Sequence, residues 1–269
     1  MKLSQKTALV TGASRGIGRA IALALAQQEL KTLILVARDR AKLAELATEI
    51  QSLSSIEVVV LPLDLTQIKA VNMTVIKAWR QHGPIQLLIN CAGVAHQSSF
   101  LQTNPSQMEA EVSLNLMGTY TITRLIAKRM VHQQEGTIVN VSSLMGKIAA
   151  PTMATYSATK FALVGFTQAL RAELAPENVQ VVSLLPSLTD TDMVRELKLF
   201  RLVKPMTAHK VALALVAGLK RGREEIHVGW QSYLALLCQR FAPWLLELIL
   251  GIAAPMPRKR SKFVWLFRG

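Results

Sequence analysis

Cysteine, aromatic residues and acidic residues are all scarce in this 269-residue chain, and each scarcity excludes a class of protein. Only Cys91 and Cys238 are present, far apart in sequence, so we expect a reducing compartment and no structural disulfide. The five histidines stand singly, without the spacing of metal ligands, and we predict no metal site. Aromatic residues make up 5% of the chain and no recognition motif accompanies its basic charge, so we predict no nucleic-acid partner.

The shortage of acidic residues leaves the chain strongly basic. It has 17 acidic residues against 31 lysines and arginines, a formal net charge of +14. Such a surface suits an anionic partner: a phosphorylated cofactor, an acidic carrier protein or an anionic lipid. The N-terminus runs from Met1 into an apolar strand without a signal peptide, so we expect a cytoplasmic protein.

Short apolar runs alternate with helical segments through most of the chain. Strands are predicted at 7–10, 33–36, 57–61, 86–89, 137–141, 180–184 and 225–228. Helices are predicted between them at about 16–28, 39–52, 67–82, 105–132, around Tyr156 and at 207–220. This alternation predicts an α/β fold, a doubly wound, seven-stranded parallel sheet of the Rossmann type with helices on both faces. Ligands of such sheets bind beyond the carboxyl ends of the strands.

A glycine-rich turn follows the first strand and leads into an Ala/Leu-rich helix. It reads Thr11-Gly12-Ala13-Ser14-Arg15-Gly16-Ile17-Gly18. Free N–H groups and the positive end of the helix dipole favour a pyrophosphate at such a turn, and the glycines allow its close approach. The spacing differs from the usual dinucleotide fingerprint, and a glycine turn can also bind nothing. The strand–turn–helix context favours nucleotide binding.

The second strand ends in Ala37-Arg38, which bears on the choice of cofactor. An acidic residue near this position binds the ribose hydroxyls of NAD, whereas an arginine accommodates the 2′-phosphate of NADP. Arg38, together with Arg15, therefore predicts NADPH rather than NADH, although an arginine at a strand end is often merely solvated.

Tyr156 and Lys160 are four residues apart and project from one face of a helix. The pKa of a free tyrosine is about 10, and a fixed ammonium one turn away is expected to lower it. The hydroxyl of Ser143, earlier in the chain, could hold a substrate oxygen against the phenol. These residues predict a proton donor beside a carbonyl group.

Taken in order and spacing, these motifs resemble the short-chain dehydrogenase/reductase family over roughly residues 4–229. The matching residues are Thr11-Gly12, Gly16-Ile17-Gly18, Asp64, Asn90-Cys91-Ala92-Gly93, Asn115, Ser143 and Tyr156-x-x-x-Lys160.

The resemblance implies catalytic roles for four residues. Tyr156 would be the general acid in reduction and the base in oxidation, and Ser143 would orient the carbonyl oxygen. Lys160 would hold the nicotinamide ribose and lower the pKa of the tyrosine. Asn115 would anchor a water that resupplies protons. Taken singly, Ser143 could instead be a strand-end cap and Asn115 a helix-interior residue bonded to nearby backbone.

The resemblance also implies the cofactor contacts. The adenosine and pyrophosphate would be lined by Gly12, Ser14, Arg15, Gly16, Ile17 and Gly18, with Arg38 beside them. Asp64 would meet the adenine, and the ribose would be backed by Asn90, Ala92 and Gly93. Thr189 and Thr191, in the loop after the sixth strand, would lie at the nicotinamide. That loop begins Pro186-Ser187 where many relatives have Pro-Gly, so a small adjustment of its path is expected.

Residues 192–204, where the family usually places a substrate lid, carry two periodic sets. The basic set is Arg195, Lys198, Arg201 and Lys204, and the apolar set is Val194, Leu197, Phe200 and Val203. A helix here would have one basic and one apolar face. It would be either a lid with a solvated charge row or an apolar substrate channel with a basic mouth.

Residues 230–269 are predicted to be an apolar and basic C-terminal extension of a catalytic domain at 1–229. A membrane-spanning helix needs about 20 apolar residues, and Arg240, Pro243 and Glu247 interrupt the candidate stretch. Two short helices lying on an anionic membrane surface, followed by the basic run at 258–262, fit better. Packing against a neighbouring subunit is the alternative.

The sequence thus predicts an NADPH-dependent carbonyl reductase that interconverts ketones or aldehydes and alcohols. Its expected substrate is hydrophobic, such as a 3-oxoacyl group, a keto-lipid or a steroid. The expected partners are an anionic membrane surface or an acyl carrier protein, and further copies of the chain in a homodimer or homotetramer. The alternative is a membrane-docked, non-catalytic NADP-binding scaffold of the same fold, which the intact set of catalytic residues disfavours.

Overall fold

The computed structural model describes residues 2–201 and 203–255. Seven strands of this part form one parallel sheet. They are β1 (Thr7–Thr11), β2 (Thr32–Ala37), β3 (Glu57–Pro62), β4 (Leu87–Asn90), β5 (Gly136–Val141), β6 (Val179–Pro186) and β9 (Glu225–Val228). Their order is β3-β2-β1-β4-β5-β6-β9. The predicted doubly wound fold is confirmed.

Helices connect the strands and cover both faces of the sheet. They are α1 (Gly16–Ala26), α2 (Arg40–Leu53), α3 (Ile68–His82), α4 (Pro105–Val112), α5 (Thr119–Gln133), α6 (Ala154–Leu174), α7 (Asp192–Arg195), α8 (Ala208–Lys220), α9 (Trp230–Phe241) and α10 (Pro243–Ala253). A π-helical turn, Ser113–Gly118, joins α4 to α5. Two short strands, β7 (Thr189–Asp190) and β8 (Met206–Thr207), pair separately from the main sheet.

The two faces of the sheet bury two different clusters, because successive side chains of a strand point to opposite faces. Val10 and Leu35 are fully buried in a cluster with residues of α1, α2 and α8. Leu9 and Ile34, their neighbours in sequence, are fully buried in a cluster with residues of α3 and α5. Burial on both faces makes the sheet a rigid base for the loops at its carboxyl edge.

The strand order reverses between β1 and β4, where the chain leaves one half of the sheet and begins the other. Crevices that bind ligands form at this point in open α/β sheets. The two strand ends are tied together here by Thr11, whose Oγ1 accepts the backbone N–H groups of Cys91 at 3.0 Å and Ala92 at 3.1 Å. The ends of β1 and β4, which flank the crevice, are therefore fixed relative to each other.

The helix considered for residues 192–204 does not form beyond Arg195. The side chain of Gln97 replaces the helical hydrogen bonds, since Nε2 donates to the Lys198 carbonyl at 3.0 Å and Oε1 accepts the Lys198 N–H at 2.8 Å. The predicted apolar set still packs inward, with Leu197, Phe200 and Val203 in a cluster that also contains Tyr156. The segment is thus a strap held to the core, with Lys198 and Arg201 exposed.

Candidate active site

A cleft of about 360 Å³ opens at the carboxyl edge of the sheet. Most of the predicted site residues line it. They are Gly12, Ser14, Arg15, Gly16, Ile17, Gly18, Arg38, Asp64, Ala92, Gly93, Tyr156, Lys160 and Thr191.

The glycine turn forms one end of the cleft, and its glycines meet steric limits. Gly12 has a φ of +67°, and a Cβ there would lie 2.9 Å from the Cα of Ala92. Gly16 has a φ of +56°, which side-chain-bearing residues rarely adopt. A Cβ on Gly18 would lie 2.2 Å from the carbonyl oxygen of Gly12. The turn is therefore closed tightly against the β4 loop, and the start of α1 faces the cleft as a pyrophosphate would require.

A positive patch forms the adjoining wall. Arg15 and Arg38 are exposed and line the cleft together with Lys42, from the first turn of α2. Lys42 Nζ lies 4.0 Å from Asp39 Oδ2. Lys42 was not predicted from the sequence, although its position four residues after Arg38 was an available signal. The patch has the charge to hold a phosphate group.

Lys160 is a buried cation that lines the cleft. Its side chain comes from α6, and Nζ donates a hydrogen bond to the Val141 carbonyl at 3.0 Å. Burial lowers the pKa of Lys160 to about 8, because the charged form loses its hydration. Burial also raises the pKa of the neighbouring Cys91 thiol to about 12. The lysine can therefore exchange its proton near neutral pH.

Tyr156 lies one turn before Lys160, and the lysine Nζ is 5.5 Å from the centre of its ring. Burial raises the pKa of Tyr156 to about 12, a hydrogen bond with Ser143 opposes the rise, and the charges of Glu111 and Cys91 add to it. The sequence predicted a lowered pKa. The direction is opposite because loss of hydration is the largest influence on the phenol and the opposing hydrogen bond with Ser143 is a smaller one.

Two serines after β5 have different partners. Ser143 Oγ accepts the N–H of Met145 at 3.1 Å, which caps a short 3₁₀ turn, and the same hydroxyl is close enough to Tyr156 to lower its pKa. The cap and the catalytic interpretation of Ser143 are thus compatible. Ser142 Oγ donates to the Lys160 carbonyl at 3.0 Å and so fastens the strand end to α6.

Asn115 lies behind the cleft wall, buried in the π-helical turn. Its Oδ1 accepts the Val94 N–H at 2.9 Å, and its Nδ2 donates to the Val94 carbonyl at 3.0 Å and to Thr159 Oγ1 at 3.2 Å. Both amide hydrogens are therefore used within the protein. The side chain is therefore a clamp between the β4 loop and α6, and the implied anchoring of a water by this residue stays a prediction.

Asn90 and Thr189 are two implied cofactor contacts that lie outside the cleft wall. Asn90 is buried, and its Nδ2 donates to Thr123 Oγ1 and Asn140 Oδ1, both at 2.8 Å. Thr189 is buried, and its hydroxyl donates to the Ser187 carbonyl at 2.9 Å. Asn90 points into the protein because partners 33 and 50 residues later in the chain satisfy it there, whereas Thr189 is satisfied within its own loop.

Several cleft residues were missed by the sequence analysis. Most adjoin predicted ones in sequence, which is the signal that could have found them. They are Val36, Ala37, Asp39, Leu63, Leu65, Cys91, Val94, Leu114, Val141, Ser142, Asp192 and Met193.

Comparison with known families agrees with this geometry. The model of the family described as short chain dehydrogenase matches residues 6–201. The chain belongs to this family. A 3-oxoacyl-[acyl-carrier-protein] reductase of Aquifex aeolicus is 34% identical over 193 residues, which are 72% of this chain and 77% of that protein. The corresponding reductase of Thermotoga maritima is 32% identical over 84% of this chain and 88% of its own length. The predicted family and enzyme class are confirmed.

Solved structures of short-chain dehydrogenases share the fold. A Burkholderia cenocepacia short-chain dehydrogenase in complex with NADP has a TM-score of 0.81 at 28% identity, covering 95% of this chain and all of the other. A Sphingobium yanoikuyae short-chain dehydrogenase in complex with NADPH has a TM-score of 0.79 at 28% identity, covering 96% and 99%.

Proposed function

We propose that this short-chain dehydrogenase is an NADPH-dependent carbonyl reductase, reversible in principle, that acts on a hydrophobic substrate. The observation that carries the proposal is that the Tyr156 phenol and the Lys160 ammonium, 5.5 Å from the phenol ring, line the same cleft as the glycine turn, with the Ser143 hydroxyl close enough to Tyr156 to lower its pKa. The non-catalytic scaffold has no comparable observation in its favour.

NADP(H) is the cofactor. The glycine turn fits a pyrophosphate, because a Cβ on Gly12 or Gly18 would close it, and the basic patch of Arg15, Arg38 and Lys42 fits the additional phosphate of NADP. Bound NADPH would supply a hydride to the carbonyl carbon of the substrate. Related short-chain dehydrogenases with solved structures are in complex with NADP or NADPH.

The side chains of the site supply the proton. With a pKa of about 12, Tyr156 remains protonated at neutral pH and can donate to the carbonyl oxygen as negative charge develops there. Ser143 holds that oxygen by a second hydrogen bond. Lys160, whose pKa is about 8, can return a proton toward the phenol side of the cleft.

The surroundings of Tyr156 favour an apolar substrate. Tyr156 packs with Ala95, Met145, Met153 and Phe200, and the same cluster continues to Ala253 at the end of α10. Ketones that carry an acyl chain, such as 3-oxoacyl thioesters or keto-lipids, match these contacts. The relatives of Aquifex aeolicus and Thermotoga maritima are 3-oxoacyl-[acyl-carrier-protein] reductases, which supports an acyl chain and, for this basic chain, an acidic carrier protein as its bearer.

The deciding experiment follows the loss of NADPH absorbance with a panel of ketones of increasing chain length. We expect turnover with kcat/KM rising with apolar chain length. No turnover with any ketone, while NADPH binding is measurable, would leave the reductase proposal without support and favour the scaffold.

We also propose that α9 and α10 lie on an anionic membrane surface. Among residues 2–201 and 203–255, no helix is long and apolar enough to cross a membrane. Large apolar side chains nevertheless remain exposed on both helices. They are Trp230, Tyr233, Leu234, Leu237, Phe241, Trp244, Leu245, Leu248, Ile249 and Ile252.

Charge selects an anionic bilayer as the occupant of this face. The chain carries a net charge of +14, and its sequence continues after α10 with the basic run at 258–262, which lies outside the described residues. Amphipathic helices with aromatic side chains and nearby basic residues bind such surfaces. In this proposal residues 230–269 are a docking extension of the catalytic domain.

A further inference from the structure

Three segments pack around the apolar cluster that contains Tyr156, and hydrogen bonds tie them to one another. They are the loop at 95–102, the strap, and the C-terminal end of α10. Gln97 of the loop binds both backbone groups of Lys198 in the strap, at 3.0 and 2.8 Å. The Arg201 N–H of the strap donates to the Ala253 carbonyl of α10 at 3.0 Å. The three segments therefore form one continuous cover over the apolar surroundings of the phenol.

Each segment of this cover packs a side chain into the cluster and leaves a large apolar side chain exposed within a few residues of it. The inward residues are Ala95, Phe200 and Ala253. The exposed residues are Phe100, Leu101, Leu199 and Ile252. Leu101, in a short 3₁₀ turn, is 93% exposed, and Leu199 is 48% exposed. The outer side of the cover is therefore apolar where the inner side already meets Tyr156.

Charge on the cover indicates what it meets. Lys198 and Arg201 are exposed on either side of Leu199 and Phe200 in the sequence of the strap. Apolar side chains flanked by cations bind an anionic bilayer, because the apolar groups enter the hydrocarbon and the cations stay at the headgroups. An acidic carrier protein matches the cations and leaves the exposed apolar side chains unexplained. The hydrogen bond between Arg201 and Ala253 also makes the cover continuous with the face of α9 and α10 proposed above to lie on a membrane.

We propose that this cover is the substrate entrance, that it faces an anionic bilayer, and that the enzyme takes its ketone directly from the membrane. The apolar chain of the substrate passes between the loop, the strap and α10 while its carbonyl group reaches Tyr156. The inference rests on the proposed reductase function and on the proposed docking of α9 and α10. It narrows the substrate class from apolar ketones in general to lipids with a ketone group that are dissolved in the bilayer.

The test compares two ketones with NADPH: methyl pentadecyl ketone dissolved in phosphatidylglycerol-containing vesicles, and butanone in water. Leu101→Glu combined with Leu199→Glu places two charges on the cover. We expect this double variant to lower kcat/KM for the vesicle ketone about tenfold, because the charges keep the entrance out of the hydrocarbon. For butanone, kcat/KM should stay at the wild-type value, since Tyr156 and the cofactor cleft are unchanged. Flotation with the vesicles should persist through α9 and α10, and rates are compared at a lipid concentration that binds all of the protein.

Two further variants control this comparison. Leu101→Glu alone changes a side chain that is 93% exposed, and it should lower kcat/KM for the vesicle ketone in the same direction. Leu53→Glu makes the same change at an exposed leucine of α2 and should have no effect on either ketone. Melting temperatures establish that all three variants are folded.

The outcomes separate this inference from the two proposals beneath it. Wild-type kcat/KM for the vesicle ketone in the Leu101 and Leu199 variants would overturn the inference, as would an equal loss for both ketones or an equal loss in Leu53→Glu. A wild type that floats and reduces butanone, but not the vesicle ketone, would overturn the inference alone. A wild type that reduces butanone without floating would defeat the membrane proposal and the inference with it. Reduction of neither ketone would defeat the reductase proposal and the inference together.

Discussion

The side chain of Asn115 binds both backbone groups of Val94, accepting its N–H at 2.9 Å and donating to its carbonyl at 3.0 Å. A third hydrogen bond joins the same amide to Thr159, whose hydroxyl donates to the Tyr156 carbonyl at 2.8 Å. One buried asparagine thus connects the β4 loop to the helix turn that carries the phenol. The distance between the cofactor end and the proton donor is set by this connection.

Replacement of the phenol hydroxyl tests the proton donor. Tyr156→Phe should lower kcat by about 10²–10⁴-fold, the usual contribution of a positioned general acid. NADPH binding, followed by its fluorescence, should persist, because the glycine turn and the basic patch are untouched. Tyr120→Phe, the same change at a tyrosine that packs on Phe166, is the matched control and should leave kcat unchanged. Retained activity in Tyr156→Phe would contradict the mechanism.

The buried ammonium of Lys160 should reduce stability at neutral pH. Its pKa is about 8 in the folded protein against 10.5 for a free lysine, so below pH 8 folding buries a charge that prefers water. Lys160→Met should therefore raise the free energy of unfolding near pH 7 by up to about 3 kcal/mol, while removing activity.

The pH dependence separates this effect from a simple gain in packing. Between pH 8 and 10.5 the unfolded wild type binds the proton that the folded wild type has lost, so wild-type stability rises with pH in this window. The advantage of Lys160→Met should shrink over the same window, as measured by urea unfolding at a series of pH values. A constant advantage would show that the lysine pKa is not displaced.

The basic patch should decide between the two nicotinamide cofactors. Arg38→Ala should raise KM for NADPH about tenfold, the loss of one charge-assisted hydrogen bond, with little effect on KM for NADH. Arg40→Ala is the matched control, since this neighbouring arginine is also exposed and is not among the residues that line the cleft. If Arg38→Ala and Arg40→Ala had equal effects, the preference for NADPH over NADH would come from the overall positive charge of the protein and not from Arg38.

The exposed face of α9 and α10 can be tested without truncation, which would remove Ala253 and Ala254 from the apolar cluster near Tyr156. Phe241 and Trp244 are 75% and 68% exposed, so their combined replacement by glutamate should leave the fold intact. The wild type should float with phosphatidylglycerol-containing vesicles and the double variant should not, with equal turnover of a water-soluble ketone.

Two controls complete this experiment. Met73→Glu places the same charge at an apolar residue of α3 that is 70% exposed, and it should not change flotation. Vesicles of phosphatidylcholine alone should bind less wild-type protein, because the attraction of the basic chain is lost. Equal flotation of wild type and double variant would contradict the proposal. A change of oligomeric mass in place of flotation would assign the face to a second copy.

Local patterns made the sheet, the glycine turn and the spacing of Tyr156 and Lys160 predictable from the sequence. Each depends on residues within a few positions of one another, so the residue types at those positions were enough to predict it. The strap around Lys198 was not predictable, because its hydrogen bonds come from Gln97, about a hundred residues earlier. The inward turn of Asn90 depends in the same way on Thr123 and Asn140.

The pKa of Tyr156 shows a second limit. The sequence placed a cation one turn from the phenol and so predicted a lowered pKa, and the spacing was right. Burial decided the direction, and burial depends on loops from three parts of the chain that meet only in the folded protein. The sequence showed that Lys160 is near the phenol of Tyr156, but it could not show that folding removes water from that phenol.

The π-helical turn Ser113–Gly118 makes the register of the site sensitive to chain length. A π turn holds one residue more than an α turn, and each residue of an α-helix advances the direction of its side chain by about 100°. Deleting Leu116 should let α4 and α5 fuse into one regular helix and turn Glu111 and Asn115 relative to α5. Circular dichroism should then show a protein that is still helical, and the loss of NADPH absorbance should show that turnover has ceased. In this region the placement of the site residues therefore depends on the number of residues in the turn.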